Sequence, residues 1–185
     1  MILLKQNNTM RKLSIIPITL LFLFCATKTS KIPFNHDTVS VETELSNCPK
    51  NGVCETKIYR NQSLEIKTDE FGSIYYEKSD NANTSVILFT YNKNTPKDIQ
   101  DASYREEIVF EINNIDSNVK FSDLNLQKTK MLFGRFCFCR GQTGYYKVKF
   151  GNLKLKQVGK KISFNLNFMV SEVPQIIKSI NNTIK

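Results

Sequence analysis

The sequence predicts an all-β fold, an antiparallel sandwich of about eight or nine short strands, with a small barrel as the alternative. Three observations carry this. Short alternating segments are separated by turn signals roughly every eight to twelve residues. Val, Ile, Thr, Phe and Tyr dominate those segments, with 13 Phe, 7 Tyr and no Trp in the chain, and these residues fit a pleated, half-buried surface. No internal repeat and no long linker divides the chain, so the strands belong to one domain.

The 185 residues are 41% hydrophobic and 23% charged, which fits a globular protein with a real core. Formal charge is +9. Lys5, Arg11 and Lys12 precede Cys25, where no acid occurs, and without them 23 bases face 17 acids, a charge of +6. That excess suits a soluble surface or an anionic partner.

Met10–Ala26, MRKLSIIPITLLFLFCA, places a basic pair before an apolar run of about a dozen residues, too short for a spanning helix. Residues 1–26 therefore read as a secretory signal, with Met10 as an alternative start. Leu-Phe-Leu-Phe before Cys25 has the layout of a lipoprotein signal, in which Cys25 becomes the lipidated first residue, although Phe24 stands where a small residue is usual. Soluble secretion and a retained anchor are the alternatives. Each takes the mature chain out of the cytoplasm, to an outer membrane or cell surface in the first case. Residues 27–36 are polar and contain Pro33, as a tether would, and 37–185 form the β-domain.

Within the domain, Asp37–Leu45 alternates and reads as a first strand. Cys48–Cys54 carries Pro49 and Asn51-Gly52, the residues of a tight turn. Val53–Arg60, Ser63–Thr68 and Ser73–Lys78 read as strands, with Asp69–Gly72 as a turn. Asp80–Thr84 reads as a polar break. Ser85–Tyr91, SVILFTY, is a nearly continuous apolar run and the best central strand. Asn92–Ser103 reads as a loop and Tyr104–Ile112 as a strand. Asn113–Asp123 reads as a polar connection. Lys130–Arg140, Tyr145–Val158 with a kink at Gly151-Asn152, and Ile162–Val170 complete the set. The end of the chain reads equally as a short helix, with Ser171 as N-cap, Pro174 in the first turn and Ile176, Ile177, Ile180 and Ile184 at helical spacing, or as an extended tail.

Setting Cys25 aside leaves Cys48, Cys54, Cys137 and Cys139. In an exported protein four cysteines imply disulfides. On one strand Cys137 and Cys139 would stand about 6–7 Å apart, whereas a disulfide wants β-carbons about 3.8 Å apart. Two bridges between the 48–54 turn and the 137–139 strand avoid a bend and would stabilise by about 4 kcal/mol each at most. The gaps suit neither a structural zinc site nor a Cys-x-x-Cys redox pair, so no metal or cofactor is expected.

His36, the one histidine, falls in the tether, which removes the usual general base. No catalytic residue is assigned. Glu106, Glu107 and Glu111 read as a solvated strand face, with Glu107 and Glu111 roughly 13 Å apart, too far for glycosidase carboxylates. Gly141-Gln142-Thr143-Gly144 lacks the Lys and helix of a phosphate loop and reads as a hairpin turn. Lys147 and Lys149, then Lys154 and Lys156, alternate, with Lys160-Lys161 in the next turn. With Tyr145 they form a candidate binding face for a protein or anionic glycan; nucleic acid does not suit an exported chain. Aromatics Phe133, Phe136, Phe138, Tyr145 and Tyr146 read mainly as core.

The signal with Cys25, the polar tether, and the segments CPKNGVC and LFGRFCFCRGQTGYY resemble small envelope lipoproteins of the Bacteroidetes type. The resemblance implies compartment and fold class and carries no activity. Three functions stay open: a non-enzymatic, lipid-anchored binding or accessory module, a carboxylate-based hydrolase or enzyme inhibitor, and a purely structural envelope protein.

Overall fold

The computed structural model describes residues 38–40, 48–96, 98–99 and 101–184. The signal segment, Cys25, the tether and His36 lie outside the described residues. Within them the strands are β1 (Thr38–Ser40), β2 (Gly52–Thr68), β3 (Ile74–Lys93), β4 (Tyr104–Asn113), β5 (Asn118–Ser122), β6 (Leu132–Cys137), β7 (Gly144–Lys147), β8 (Phe150–Val158), β9 (Lys161–Met169) and β10 (Ser179–Ile184). A 3-10 turn, Asp123–Thr129, joins β5 to β6. All pairings are antiparallel, in one sheet ordered β1-β2-β3-β4-β6-β7 and a second ordered β10-β9-β8-β5. The fold is all-β, as predicted.

The two sheets face each other across the main core. Ile87, Phe89, Ile108 and Phe110 from the first sheet share a buried cluster with Leu153, Leu155, Phe164 and Leu166 from the second. Phe110 and Phe164 meet edge to face at 5.4 Å and Phe133 lies 5.9 Å from Phe168. Each such pair adds about 0.5–1.5 kcal/mol beyond the burial itself.

The first sheet also curls over its own outer face. At the corner, Asn61 in a left-handed conformation (φ 56°) faces the four residues Asn81–Thr84 on β3, a wide bulge that bends the long β2–β3 hairpin. Its tip turns back until Ile74 pairs with Tyr145 of β7, closing β3, β4, β6 and β7 into a barrel-like ring. A second buried cluster, Leu64, Val86, Val109 and Leu132, fills the space beneath. This explains why SVILFTY is apolar on both sides: it lies between β2 and β4 with a core on each face.

Several boundaries differ from expectation. Asp80–Thr84 is polar because it forms the exposed corner, yet the strand runs through it. Asn113–Asp123 contains β5, whose Val119 is buried and Phe121 half-buried on the core side. The predicted strand Tyr145–Val158 breaks at Val148-Lys149, where the chain crosses from the first sheet to the second. Gln127 Nε2 donates to Met131 O (2.9 Å) and Val148 O (2.7 Å), satisfying backbone that no ladder pairs there. The C-terminus is not helical. Residues 171–178 form an irregular loop and Ser179–Ile184 pairs with β9, because Ile180, Asn182 and Ile184 also alternate and β-branched residues favour the pleat.

Gly151 sits at the start of β8 with φ 138°, and a Cβ there would lie 2.1 Å from Asn167 O. Gly151→Ala should destabilise the fold by about 2–3 kcal/mol, through both strain and backbone contact. Thermal unfolding checks this.

Candidate functional site

The carboxylates of β4 are structural anchors rather than a solvated face. Strand alternation sends Glu106 into the main core and Glu107 and Glu111 toward the ring. Glu106 is 0% exposed. It accepts from Tyr104 Oη (2.5 Å) and from the backbone N–H groups of Ile176 (2.6 Å) and Ile177 (2.7 Å). Burial, reinforced by that bond to Glu106, pushes the Tyr104 hydroxyl up to about 12. Glu107 accepts from Tyr145 Oη at 2.6 Å and pairs with Arg105 at 3.1 Å. Glu111 accepts from Ser63 Oγ (2.8 Å), Leu64 N–H (2.7 Å) and Lys130 Nζ (2.8 Å), pinning the folded-back hairpin. Burial alone would raise the Glu111 pKa, but these three donors outweigh it and hold the group below its ordinary 4.5.

The predicted lysine face divides. Tyr145 is half-buried, between Tyr76 (5.3 Å) and Phe136 (5.2 Å), with its hydroxyl on Glu107, so it does not belong to an outward face. Lys147 belongs to β7 in the first sheet, and Lys149 pairs with Glu172 at 3.7 Å. The chain changes sheets between them and Lys154, which is why they do not share a surface.

Lys154 and Lys156 do share one, and Lys120 joins them. Core residues Leu153 and Leu155 fix the phase of β8, so Lys154 and Lys156 point outward. Val119 does the same for Lys120 on β5. Lys120 stands directly opposite Lys154, and Lys156 opposite Asn118. On the other side Lys154 faces Asn165 and Lys156 faces Ser163, and Asn165 in turn faces Asn181. The four strands contain four lysines and no acidic residue. Among the described residues none of Lys120, Lys154 and Lys156 forms an ion pair. A shallow depression of about 280 Å³ lies between them, lined also by Asn118, Asn165 and Asn181. Sequence reasoning missed Lys120, although Val119-Lys120-Phe121 already alternates.

The cysteines pair locally, Cys48 with Cys54 and Cys137 with Cys139, against the expected bridges between the two segments. The reason is that β6 stops at Cys137. The chain bends at Phe138, bringing the two Cα atoms to 5.2 Å, less than extended spacing allows. Loop closure then supplies only about 1.6 kcal/mol for the smaller loop and about 2.4 kcal/mol for the larger. Cys48 and Cys54 pack against the main core. All four cysteines are part-buried, but Phe138, between Cys137 and Cys139, is 81% exposed. Gly141 (φ 72°) forms the turn read from the sequence, closed by Gln142 N–H donating to Cys139 O at 3.0 Å.

Among the described residues no cluster of three or more His, Cys, Asp or Glu is arranged to hold a metal, and no helix is long and apolar enough to cross a membrane. No family model, no curated protein and no solved structure matches the chain.

Proposed function

We propose that the chain is a non-enzymatic, exported binding or accessory module of a bacterial envelope, anchored through Cys25, whose second sheet contacts an anionic glycan. The juxtaposition of Lys120 and Lys154, with Lys156 beside them on a face free of acids, carries this reading. Like charges directly opposite on neighbouring strands are destabilising, and an acid partner on the face would have relieved them. A bound sulfate, carboxylate or phosphate group relieves the repulsion instead. The neighbouring Asn118, Asn165 and Asn181 offer amide donors and acceptors suited to sugar hydroxyls. A flat, repetitive sheet face suits a polymer better than a small molecule, which wants a concave site.

The hydrolase alternative needs two available carboxylates about 5–9 Å apart. Glu106, Glu107 and Glu111 are each committed to hydrogen bonds within the fold, which favours the binding reading. The two disulfides fit an oxidising, exported compartment. The anchor is tested by intact mass of the native protein, where acyl groups on a chain beginning at Cys25 are expected and an unmodified chain would contradict it.

Binding is tested with a sulfated polysaccharide. Affinity should fall steeply between low and physiological salt. K154Q/K156Q should weaken it roughly tenfold without lowering the melting temperature, since it also relieves the Lys120–Lys154 repulsion. Unaltered affinity in that variant would sink the proposal.

A further inference from the structure

We infer that Cys137–Cys139 is an exchangeable disulfide that oxidises a cysteine pair in an exported polypeptide, at a groove separate from the lysine face. The hairpin is held without this bond. Arg135 Nη1 donates to Gln142 O at 2.9 Å, Thr143 Oγ1 donates to Arg135 O at 3.1 Å, and Leu132–Arg135 pairs with Gly144–Lys147. The disulfide therefore adds little to the hairpin's closure. It also lies outside both buried clusters, whereas Cys48–Cys54 packs on the main one. Its cysteines are part-buried like Cys48 and Cys54, but Phe138 between them is 81% exposed and two concavities border the bond, which leaves a thiolate a route to the sulfur–sulfur axis.

The surroundings provide a docking place and a favourable charge. A groove of about 540 Å³ lies on one side of the bond, lined among others by Tyr104, Arg105, Phe136 and Phe138, and a second concavity of about 440 Å³ lies behind Phe138. Phe138 stands out between them as an apolar contact, which favours an unfolded polypeptide over a small hydrophilic thiol. Lys93 lines the groove beside one acid, Asp101, and Arg140 follows Cys139, while Arg105 in the lining is already paired with Glu107. Cations near a cysteine favour its thiolate, both as attacking and as leaving group.

The chemistry balances within the two chains. A partner thiolate attacks one sulfur, a mixed disulfide forms, and the other sulfur leaves as a thiolate. The partner's second thiolate then attacks the mixed disulfide at the partner's own sulfur. The partner gains a disulfide and loses two electrons, and Cys137 and Cys139 end as a dithiol.

The test mixes the native full-length protein with a reduced apolar peptide carrying a Cys-x-x-Cys pair, followed by alkylation and mass mapping. Cys137 and Cys139 should become alkylated in step with peptide oxidation, while Cys48 and Cys54 stay protected and the fold persists. C137S/C139S should keep its fold and leave the peptide reduced. Phe138→Ser should slow the peptide reaction roughly tenfold while changing the reaction with glutathione less than about twofold. Opening of Cys137–Cys139 no faster than Cys48–Cys54, or only on unfolding, would overturn the inference. Glutathione reacting as fast as the peptide at equal thiol concentration would overturn the polypeptide assignment.

Discussion

Glu106→Ala should lower the stability of the fold by about 3–5 kcal/mol, roughly 10–15 °C in melting temperature for a domain of this size. The carboxylate is fully buried and accepts three hydrogen bonds, two of them from backbone N–H groups about seventy residues away in sequence. Alanine leaves those donors and the Tyr104 hydroxyl without their acceptor, and the Ile177 N–H among them is buried. The damage should be regional. Ile176 and Ile177 lead into β10, so amide exchange in Ser179–Ile184 should accelerate more than exchange in β2 or β3. Glu106→Gln keeps one acceptor oxygen but sets an amide against donors, and should fall between wild type and alanine. A melting temperature within about 2 °C of wild type for Glu106→Ala would show that the contact does not hold the C-terminal strand.

Glu111 should dominate the acid sensitivity of the ring. Its pKa in the folded state lies below its ordinary 4.5, because Lys130, Leu64 N–H and Ser63 favour the carboxylate more than burial opposes it. A carboxylate depressed in the folded state contributes stability that is complete above its unfolded pKa. That contribution drains away as pH falls from about 4.5 through the lower folded value. Denaturant midpoints measured at near-neutral pH and at about pH 3 should therefore converge for wild type and Glu111→Gln in acid, with wild type clearly higher at neutral pH. Glu172 is depressed as well, because burial is outweighed by its own backbone N–H, hydrogen bonds at Ser171 and the Lys149 charge, but it is present in both proteins and cancels in the comparison. Glu111→Ala should cost about 2–3 kcal/mol at neutral pH and expose the cluster around Leu64 and Leu132, which an increase in hydrophobic dye binding would report. Equal pH dependence in wild type and Glu111→Gln would contradict the assignment.

The sequence was most informative where the signal was local. Alternation in β8 and β9 and the continuous apolar run of β3 follow from which faces are buried, and a pattern of two suffices to read them. Reading failed where the cause lay far along the chain. Glu106, Glu107 and Glu111 look like ordinary strand charges because their partners Ile176, Tyr145 and Lys130 are remote in sequence. Asp80–Thr84 has turn composition because it is an exposed corner, and composition does not distinguish a bent strand from a broken one. Extended spacing would keep Cys137 and Cys139 apart only if β6 continued to Cys139, and the strand ends two residues earlier. For the lysines, alternation placed Lys154 and Lys156 on one side of their strand. Which other strand would lie beside them depended on β5, hidden within a polar connection.

The central claim, that the outer face of the second sheet receives an anionic glycan, is tested most directly by an NMR titration of the amide signals with a sulfated oligosaccharide. Shifts should concentrate at Asn118, Lys120, Lys154, Lys156, Asn165 and Asn181, and K154Q/K156Q should need roughly tenfold more oligosaccharide to reach the same occupancy. Shifts centred on another surface, or none at saturating oligosaccharide, would contradict it.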